Sequence, residues 1–341
     1  MFNKDLAIDL GTSNIRIYTP NKGVIFNEPA VVAYDSYTDK VISMGQPAYK
    51  MLGRNSKRLT VDYPLVRGVI SDFFMTEQLV HSFFKKVYSN MVVMPRVVVC
   101  IPGEITEVEK RALVNTISSA GMRKVCLIEN PISSAIGAGI DIFSPTGSFV
   151  IDIGAGVTDL AVISLSDVST MRTLKFGGID IDNAIIKYVR RKYGLIIGLP
   201  TAEYIKNTIG CLIPFEKKKV IDVKGKDMPT GIPKKITLTS EEICSICIEQ
   251  TSVILKVIHE ILETTSPELL ADIHTYGITL TGGLSQLYGI DKFISNDTSL
   301  AVNLAPDPQL CGVLGAGDAI KFMDANKDKD FTSLNPLLVE Y

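Results

Sequence analysis

The sequence has no tryptophan, and only three histidines and six cysteines are scattered through its 341 residues. Cysteine and histidine this sparse exclude a disulfide scaffold and favour a reducing compartment. The 35 basic and 37 acidic residues leave a net charge of −2. This balance argues against nucleic-acid binding driven by bulk charge. Because no signal-like start and no run of about 18 apolar residues is present, we expect neither export nor a transmembrane helix.

The sequence does contain the apolar residues of a large core, since 46% of its residues are hydrophobic. A length of 341 residues is typical of two domains. β-branched runs such as residues 96–101 predict buried strands, and amphipathic stretches such as residues 106–120 predict helices. Thr106 and Glu109 have the spacing of a helix capping box. Strands and helices interspersed in this way predict an α/β fold.

One short pattern occurs twice, about half the chain apart. Residues 5–9 and 149–153 both predict a buried strand that carries an aspartate near its end, Asp9 in the first and Asp152 in the second. Each strand is followed by a glycine turn and a returning strand. The repeat predicts two related lobes, each of which offers one loop to a shared cleft.

Both turns have the composition of a phosphate-binding loop. Glycine lets a ligand approach the backbone closely, and successive N–H groups at such a bend form a nest for anions. The first turn also offers polar side chains, and the residues concerned are Gly11, Thr12, Ser13 and Asn14, with Gly154, Ala155 and Gly156 in the second turn. One such turn alone could be an ordinary end of a strand, but two with the same flanking pattern favour a phosphate site.

The two aspartates predict a metal ion. If Asp9 and Asp152 face one another across a cleft, they repel unless a cation lies between them. Mg²⁺ keeps several of its waters and binds through few carboxylates together with phosphate oxygens. The pair therefore predicts a Mg²⁺ ion bound through water.

Beyond these loops, the chain resembles the MreB family of bacterial actins, within the actin-type ATPase superfamily. The similarity extends over residues 5–320, and the segments that carry it are 26–33 (FNEPAVVA), 95–102 (PRVVVCIP), 105–109 (ITEVE), 135–139 (AIGAG), 188–191 (YVRR), 201–203 (TAE), 267–273 (PELLADI) and 280–283 (LTGG). The resemblance implies an actin-like α/β fold, with two related ribonuclease-H-like lobes on either side of a nucleotide cleft. It divides the chain into lobe I (1–145 with 312–330), lobe II (146–311, with a surface hairpin near 214–237) and a tail (331–341).

The resemblance also implies ATP and Mg as ligands and assigns roles to residues. Thr12, Ser13 and Asn14 would hold the β-phosphate, and residues 154–158, which include Thr158, would meet the γ-phosphate. Other contacts are implied for the phosphates and ribose (Gly177, Gly178), for the ribose and base (Glu203, Lys206), and for the adenine (Gly282, Gly283, Leu284, Ser285). Leu284 and Ile179 depart from the family, which has Gly and Asp at these positions.

Two further departures concern hydrolysis. The family commonly has Glu where Asn130 stands and Thr where Val157 stands, and that Glu orients the attacking water. Asn can hydrogen-bond water but cannot act as a carboxylate base, and Val has no hydroxyl. A general base alone contributes about 10²–10⁴-fold. We therefore expect ATP to bind and to be hydrolysed weakly at best, unless Glu129 replaces the missing base.

The family implies a filament that organises cell shape in the cytoplasm, peripheral at the inner face of the cell membrane. Subunits would join head to tail, with filaments paired antiparallel and paralogous filament proteins as further partners. A membrane contact would come from Met91, Val92, Val93 and Met94. The same four residues could instead simply begin the strand that follows them.

Two other activities of the superfamily remain as alternatives. A small-molecule kinase would need an acidic base in the cleft, and none is apparent near Asn130 or Gly178. A chaperone-type ATPase would need a peptide-binding domain after the last helix, and only a short segment follows Met323.

Overall fold

A computed structural model describes residues 5–54, 56–87, 95–122, 124–325 and 339–340. The proposed membrane segment, Met91–Met94, lies outside the described residues, as does most of the 331–341 tail. None of the described helices has both the length and the apolar character needed to cross a bilayer.

The first part of the chain, to residue 137, alternates strands with four helices. The strands are β1 (Leu6–Leu10), β2 (Asn14–Thr19), β3 (Gly23–Pro29), β4 (Val32–Asp35), β5 (Val41–Met44), β6 (Leu59–Asp62), β7 (Leu65–Val66), β8 (Val69–Ile70), β9 (Arg96–Ile101) and β10 (Lys124–Glu129). The helices are α1 (Gln46–Tyr49), α2 (Phe73–Val87), α3 (Glu107–Ser119) and α4 (Asn130–Gly137). Helix α3 begins with the predicted capping box of Thr106 and Glu109.

The remaining strands are β11 (Ser148–Ile153), β12 (Thr158–Ser164), β13 (Asp167–Leu174), β14 (Leu195–Ile196), β15 (Val220–Asp227), β16 (Pro233–Thr239), β17 (Ile278–Thr281), β18 (Val302–Leu304) and β19 (Val339–Glu340). The helices are α5 (Gly178–Tyr193), α6 (Leu199–Ile209), α7 (Ser240–Thr264), α8 (Pro267–Tyr276), α9 (Ile290–Thr298) and α10 (Cys311–Ala325). Short 3₁₀ turns cover Gly283–Gln286 and Pro308–Leu310.

Two sheets share one topology, which confirms the two lobes predicted from the repeat. The first has the order β3-β2-β1-β9-β10 with β19 at its edge, and the second has the order β13-β12-β11-β17-β18. In both sheets the first three strands are antiparallel, and the next two are added parallel to the strand that carries the aspartate. The edge strand β19 is antiparallel to β10. The residue boundaries proposed for the lobes stay a prediction.

Smaller sheets are added to each lobe. The predicted surface hairpin near 214–237 is β15 paired with β16, extended by β14. On the first lobe, β4, β5 and β6 form a three-stranded sheet. We did not predict β5 or β6. The segment Val339–Glu340, which lies in the range 331–341 that the resemblance assigns to a tail, pairs with β10.

The two lobes meet at a helix pair whose backbones touch. A Cβ atom on Gly137 of α4 would lie 2.0 Å from the carbonyl oxygen of Cys311, and one on Gly315 of α10 would lie 1.7 Å from that of Ser133. Only glycine allows such an approach. These helices belong to an apolar cluster that also contains Ala7 and Val150, one from the central strand of each large sheet. The pair thus lies between the sheets, below the loops that follow β1 and β11.

Candidate functional site

A cavity of about 560 Å³ lies between the lobes. Its size is in the range of small-molecule and cofactor sites. It is lined by most of the predicted site residues: Asp9, Gly11, Thr12, Ser13, Asn14, Asn130, Asp152, Gly154, Ala155, Gly156, Val157, Gly178, Glu203, Lys206, Gly282, Gly283 and Leu284. The structure therefore brings together residues from both loops, from two helices of the second lobe and from the turn after β17.

The two glycine loops face each other in close contact. A Cβ on Gly156 would lie 2.7 Å from Oγ1 of Thr12, which belongs to the loop of the other lobe. The Thr12 hydroxyl accepts a hydrogen bond from the Gly68 backbone N–H at 2.9 Å. Gly282 has a φ of +84°, and a Cβ there would meet the Ile153 backbone at 2.4 Å. The backbone thus converges on one end of the cleft from both sides.

A buried ion pair forms the second-lobe wall of the cleft. Lys206 Nζ lies 2.9 Å from Oδ2 of Asp182 and donates at 3.0 Å to the Gly178 carbonyl. Both side chains of the pair are buried, and Oδ1 of Asp182 has no hydrogen-bond partner among the described residues. Burial raises the pKa of Asp182 to about 6, although Lys206 acts in the opposite direction. The ammonium is therefore held by Asp182 and does not project freely into the cavity.

Two polar contacts cross the mouth of the cleft. Tyr49 donates its hydroxyl hydrogen to Oε2 of Glu203 at 2.5 Å. Arg67 binds Oδ1 of Asp180 at 3.0 Å and also donates to the carbonyl of Lys175. These contacts join helix α1 and the turn between β7 and β8 of the first lobe to the second lobe at helices α5 and α6. The predicted ribose contact, Glu203, is thus also part of the closed mouth.

The two strand aspartates differ in their surroundings. Asp9 binds Arg16, with 2.8 Å between Oδ2 and Nη1. Asp152 accepts a hydrogen bond from Thr281 at 3.0 Å. Burial, followed by the charges of Asp159 and Asp9, raises the pKa of Asp152 to about 7. The charged form of Asp152 therefore lacks sufficient positive charge nearby, whereas Asp9 has a counter-ion from the chain.

The sequence predicts a Mg²⁺ ion shared equally by Asp9 and Asp152. These surroundings fit better an ion held through water by Asp152 and by phosphate oxygens. Among the residues that the structure describes, no cluster of three or more His, Cys, Asp or Glu side chains could form a metal site. Mg²⁺ does not need such a cage when phosphate oxygens complete its coordination. The carboxylate of Asp9 is paired with Arg16, and its role as a metal ligand stays a prediction.

Asn130 and Val157, the residues at the positions that the resemblance associates with hydrolysis, both line the cavity. Asn130, at the first position of α4, donates from Nδ2 to Oδ2 of Asp159 at 3.2 Å. Asp159 also accepts from the Gly103 backbone N–H at 3.0 Å and from the Thr173 hydroxyl at 2.5 Å. Val157 lines the cavity with an apolar side chain, whereas Glu129 is not among its described lining residues.

Three predicted contact residues do not line the cavity. The Thr158 hydroxyl donates to the Phe176 carbonyl at 2.9 Å, and the Ser285 hydroxyl donates to the Gly282 carbonyl at 2.6 Å. A Cβ on Gly177 would lie 2.5 Å from the Ala155 backbone. These residues hold the loops in place from behind. Their hydroxyls and backbone are used internally because the loops must bend sharply at buried positions.

Sequence reasoning missed several lining residues and neighbours of the site. Arg16 lies on the returning strand β2, and its place opposite Asp9 could have been read from the antiparallel pattern. Phe215 and Tyr288 also line the cavity and stack with ring centroids 4.3 Å apart. Tyr49 comes from a distant part of the sequence, and no local signal pairs it with Glu203.

Comparison with known proteins decides the family. The model of the MreB/Mbl protein family matches residues 3–328. The chain belongs to the MreB/Mbl family. It is 42% identical over 330 residues to the cell shape-determining protein MreB of Escherichia coli strain K12, with 95% of each chain covered. These findings confirm the resemblance on which the sequence analysis relied.

Solved structures of another family member have the same actin-like fold. MreB5 of Spiroplasma citri bound to ADP superposes with a TM-score of 0.91 at 35% identity, covering 95% of this chain and 98% of that one. The same protein bound to AMPPNP gives a TM-score of 0.88 at 35% identity, covering 94% and 97%. The actin-like fold class predicted for this MreB/Mbl chain is therefore confirmed.

The buried pair Lys206–Asp182 generates a prediction about stability. Replacing Lys206 by Met leaves Asp182 buried without its partner, and breaking such a pair costs about 3–5 kcal/mol. The pKa of Asp182 is already above its value in the unfolded chain, about 3.9. The native state therefore binds the extra proton, and stability falls as pH rises through the folded pKa. Without Lys206 that pKa rises further, so the loss extends to higher pH.

Urea denaturation at several pH values measures this effect. The free energy of unfolding of Lys206→Met should fall furthest below wild type near pH 8, and the gap should narrow towards about pH 5, where Asp182 is protonated in both proteins. Adding Asp182→Asn should restore most of the stability. Lys218→Met is the matched control, because Lys218 and Glu241 form an exposed pair worth about 0–1 kcal/mol. A gap that does not vary with pH would contradict the assignment.

Proposed function

We propose that this chain binds ATP in the cleft and assembles into filaments that organise cell shape at the inner face of the cell membrane. The observation that carries the proposal is the pair of glycine loops that meet face to face beside a cavity of about 560 Å³. Its support from relatives is that MreB5 was solved with ADP and AMPPNP. The Escherichia coli relative is named a cell shape-determining protein.

The nucleotide would lie with its phosphates between the two loops. Backbone N–H groups of the two glycine turns would form the anion nests, and Thr12, Ser13 and Asn14 would add donors from one side. Leu284 and the open backbone at Gly283 would face the base, with Glu203 near the ribose. Asp152 would hold Mg²⁺ through water, and the ion would supply charge neutralisation for the phosphates.

Assembly would follow from closure of the lobes around the nucleotide. The contacts Tyr49–Glu203 and Arg67–Asp180 join the lobes across the mouth of the cleft. A ligand that binds both loops favours the closed state over an open one. Subunits of one closed shape can then join head to tail, and such a heterologous contact gives an open filament when its rotation does not close a ring.

Hydrolysis would be slow, because the residues that should position water are different here. Asn130 has its Nδ2 engaged with Asp159, which leaves an amide oxygen that can accept from water but cannot take its proton. Asp159 is itself held by the Gly103 and Thr173 donors. Val157 offers no hydroxyl. Bound ATP would therefore act as a structural clamp for longer than in a family member that retains both groups.

Electron microscopy of the purified chain tests assembly. Filaments should form with ATP and with AMPPNP, and should be absent without nucleotide. Gly283→Trp should bind no nucleotide and form no filaments, because the position lines the cleft and faces open space. Thermal denaturation checks that this variant is folded. Monomers that phosphorylate a sugar in the presence of ATP would instead support the small-molecule kinase.

The rate of phosphate release from ATP tests whether Asn130 and Val157 make hydrolysis slow. The wild-type rate should be low, and Asn130→Glu with Val157→Thr should raise it at least tenfold, within the range of a general base. Repulsion from Asp159 would raise the pKa of the new carboxyl towards neutrality, which suits a base. Glu129→Gln should change nothing. Fast release by the wild type, unaltered by the double substitution, would show that the chain hydrolyses ATP by another route.

Membrane binding is proposed from the apolar sequence Met91–Met94. Co-sedimentation with liposomes that contain anionic phospholipid should retain the wild-type chain, and Val92→Ser with Val93→Ser should reduce the bound fraction severalfold because less apolar surface can enter the bilayer interface. The matched control is Val108→Ser with Val220→Ser, since these two valines are exposed elsewhere on the surface. Equal binding by both double variants would exclude this segment as the contact.

A further inference from the structure

Arg16 brings a positive charge to the end of the cleft where the two loops meet. It lies on β2 directly opposite Asp9 on β1, so both side chains project from the same face of the sheet. Nη1 lies 2.8 Å from Oδ2 of Asp9, and the two side chains are only 14% and 19% exposed. Arg16 also lines the cavity together with Asp152 and the second glycine loop.

The repeat shows that this charge is not required by the loop itself. In the second lobe, Asp159 occupies the same register opposite Asp152. The same strand-turn-strand unit therefore forms with an acidic residue at that position. Asp159 is held by three donors, from Gly103, Asn130 and Thr173. The fold of this strand-turn-strand unit therefore does not by itself require a positively charged residue at the position of Arg16.

The guanidinium is only partly used by Asp9. Its Nε is buried and has no hydrogen-bond partner among the residues that the structure describes. An unpaired buried donor is costly, and the cost disappears when an acceptor arrives. Arg keeps its charge at any relevant pH, and its planar fork of donors matches the oxygens of a phosphate group. A polyphosphate between the loops would supply such oxygens beside Asp9.

We propose that Arg16 is a phosphate-binding residue that supplies part of the positive charge otherwise provided by Mg²⁺, so that nucleotide binding depends only weakly on the divalent ion. This inference rests on the proposed binding of ATP in the cleft. The competing interpretation is that Arg16 only neutralises Asp9. That interpretation leaves the Nε group without a function, and it predicts no link between Arg16 and the Mg²⁺ requirement.

The experiment compares ATP affinity in excess Mg²⁺ and in EDTA, by isothermal titration. For the wild type, the dissociation constant should differ by less than about fivefold between the two buffers. Arg16→Gln should bind ATP at least tenfold more weakly than wild type in EDTA, the scale of one lost hydrogen bond to a charged group. Excess Mg²⁺ should restore most of this loss. The affinity for inorganic triphosphate should depend on Mg²⁺ and on Arg16 in the same way, because Arg16 would contact only the phosphate part of the nucleotide.

Arg16→Lys and Arg190→Gln complete the design. Arg16→Lys keeps the charge without the fork, so its Mg²⁺ dependence should lie between those of wild type and Arg16→Gln. Arg190 is exposed on α5, outside the cleft, and its substitution should leave both affinities unchanged. Thermal denaturation establishes that each variant is folded. If Arg16→Gln does not fold, the wild type and Arg16→Lys still give the comparison of the two buffers.

Two results separate failure of this inference from failure of the proposed function. Loss of wild-type ATP binding in EDTA by about a hundredfold or more would overturn the role of Arg16 while leaving ATP binding intact. Equal Mg²⁺ dependence in wild type and Arg16→Gln would overturn it too. No ATP binding by the wild type in either buffer would contradict the proposed function itself.

Discussion

The backbone contact between helices α4 and α10 fixes the geometry on which the cleft depends. Gly137 and Gly315 allow the helices to approach until each carbonyl backbone occupies the place of a side chain on the other. The apolar cluster around this pair draws residues from both large sheets. The loops after β1 and β11 are therefore mounted on one packed unit. The floor of the cavity, which is the side next to helices α4 and α10, keeps its shape because close-packed interiors deform little.

The mouth of the cleft is held in a different way. Tyr49–Glu203 and Arg67–Asp180 are polar contacts between partly exposed groups. Pairs of this kind contribute little free energy, since water competes for the same groups. The floor is thus fixed by packed apolar residues, and the mouth is closed by interactions that can break at small cost. This difference is what a two-lobed molecule needs if a ligand is to determine whether it is open or closed.

Charge is the second constraint in the cleft, because Asp159 and Asp9 lie close enough to Asp152 to raise its pKa. The three carboxylates differ in the groups that compensate their charge. Among the residues that the structure describes, Asp9 has Arg16 as a counter-ion, Asp159 has three hydrogen-bond donors, and Asp152 has the Thr281 hydroxyl alone. Burial with too few partners raises the pKa of Asp152 to about 7. A positive ligand group or ion is favoured beside Asp152 more than beside either neighbour.

Much of this arrangement could be predicted from sequence, because the information is local. The two loops, the strands that flank them and the capped helix α3 all follow from residues close together in the chain. The pairing of Tyr49 with Glu203 could not be predicted, since it depends on how two distant segments are packed. Strands β5 and β6 were missed because they are short and only partly buried, so they lack a clear alternating pattern. Internal use of the Thr158 and Ser285 hydroxyls likewise depends on the bend of buried loops.

Binding and hydrolysis of a nucleotide place different demands on the same cleft. On the proposed function, binding needs backbone nests and a compensated charge, which the glycine loops and Arg16 would provide. Hydrolysis also needs a base aligned with one water. The positions to which the resemblance gives this role hold Asn130, which is hydrogen-bonded to Asp159, and the apolar Val157. Closure of the lobes would, on this proposal, depend on ligand occupancy, because a ligand shifts the equilibrium only by its differential affinity for the two states. Filament assembly would then depend on whether nucleotide is bound rather than on how fast it is hydrolysed. Filament lifetime would be set by nucleotide dissociation and subunit contacts.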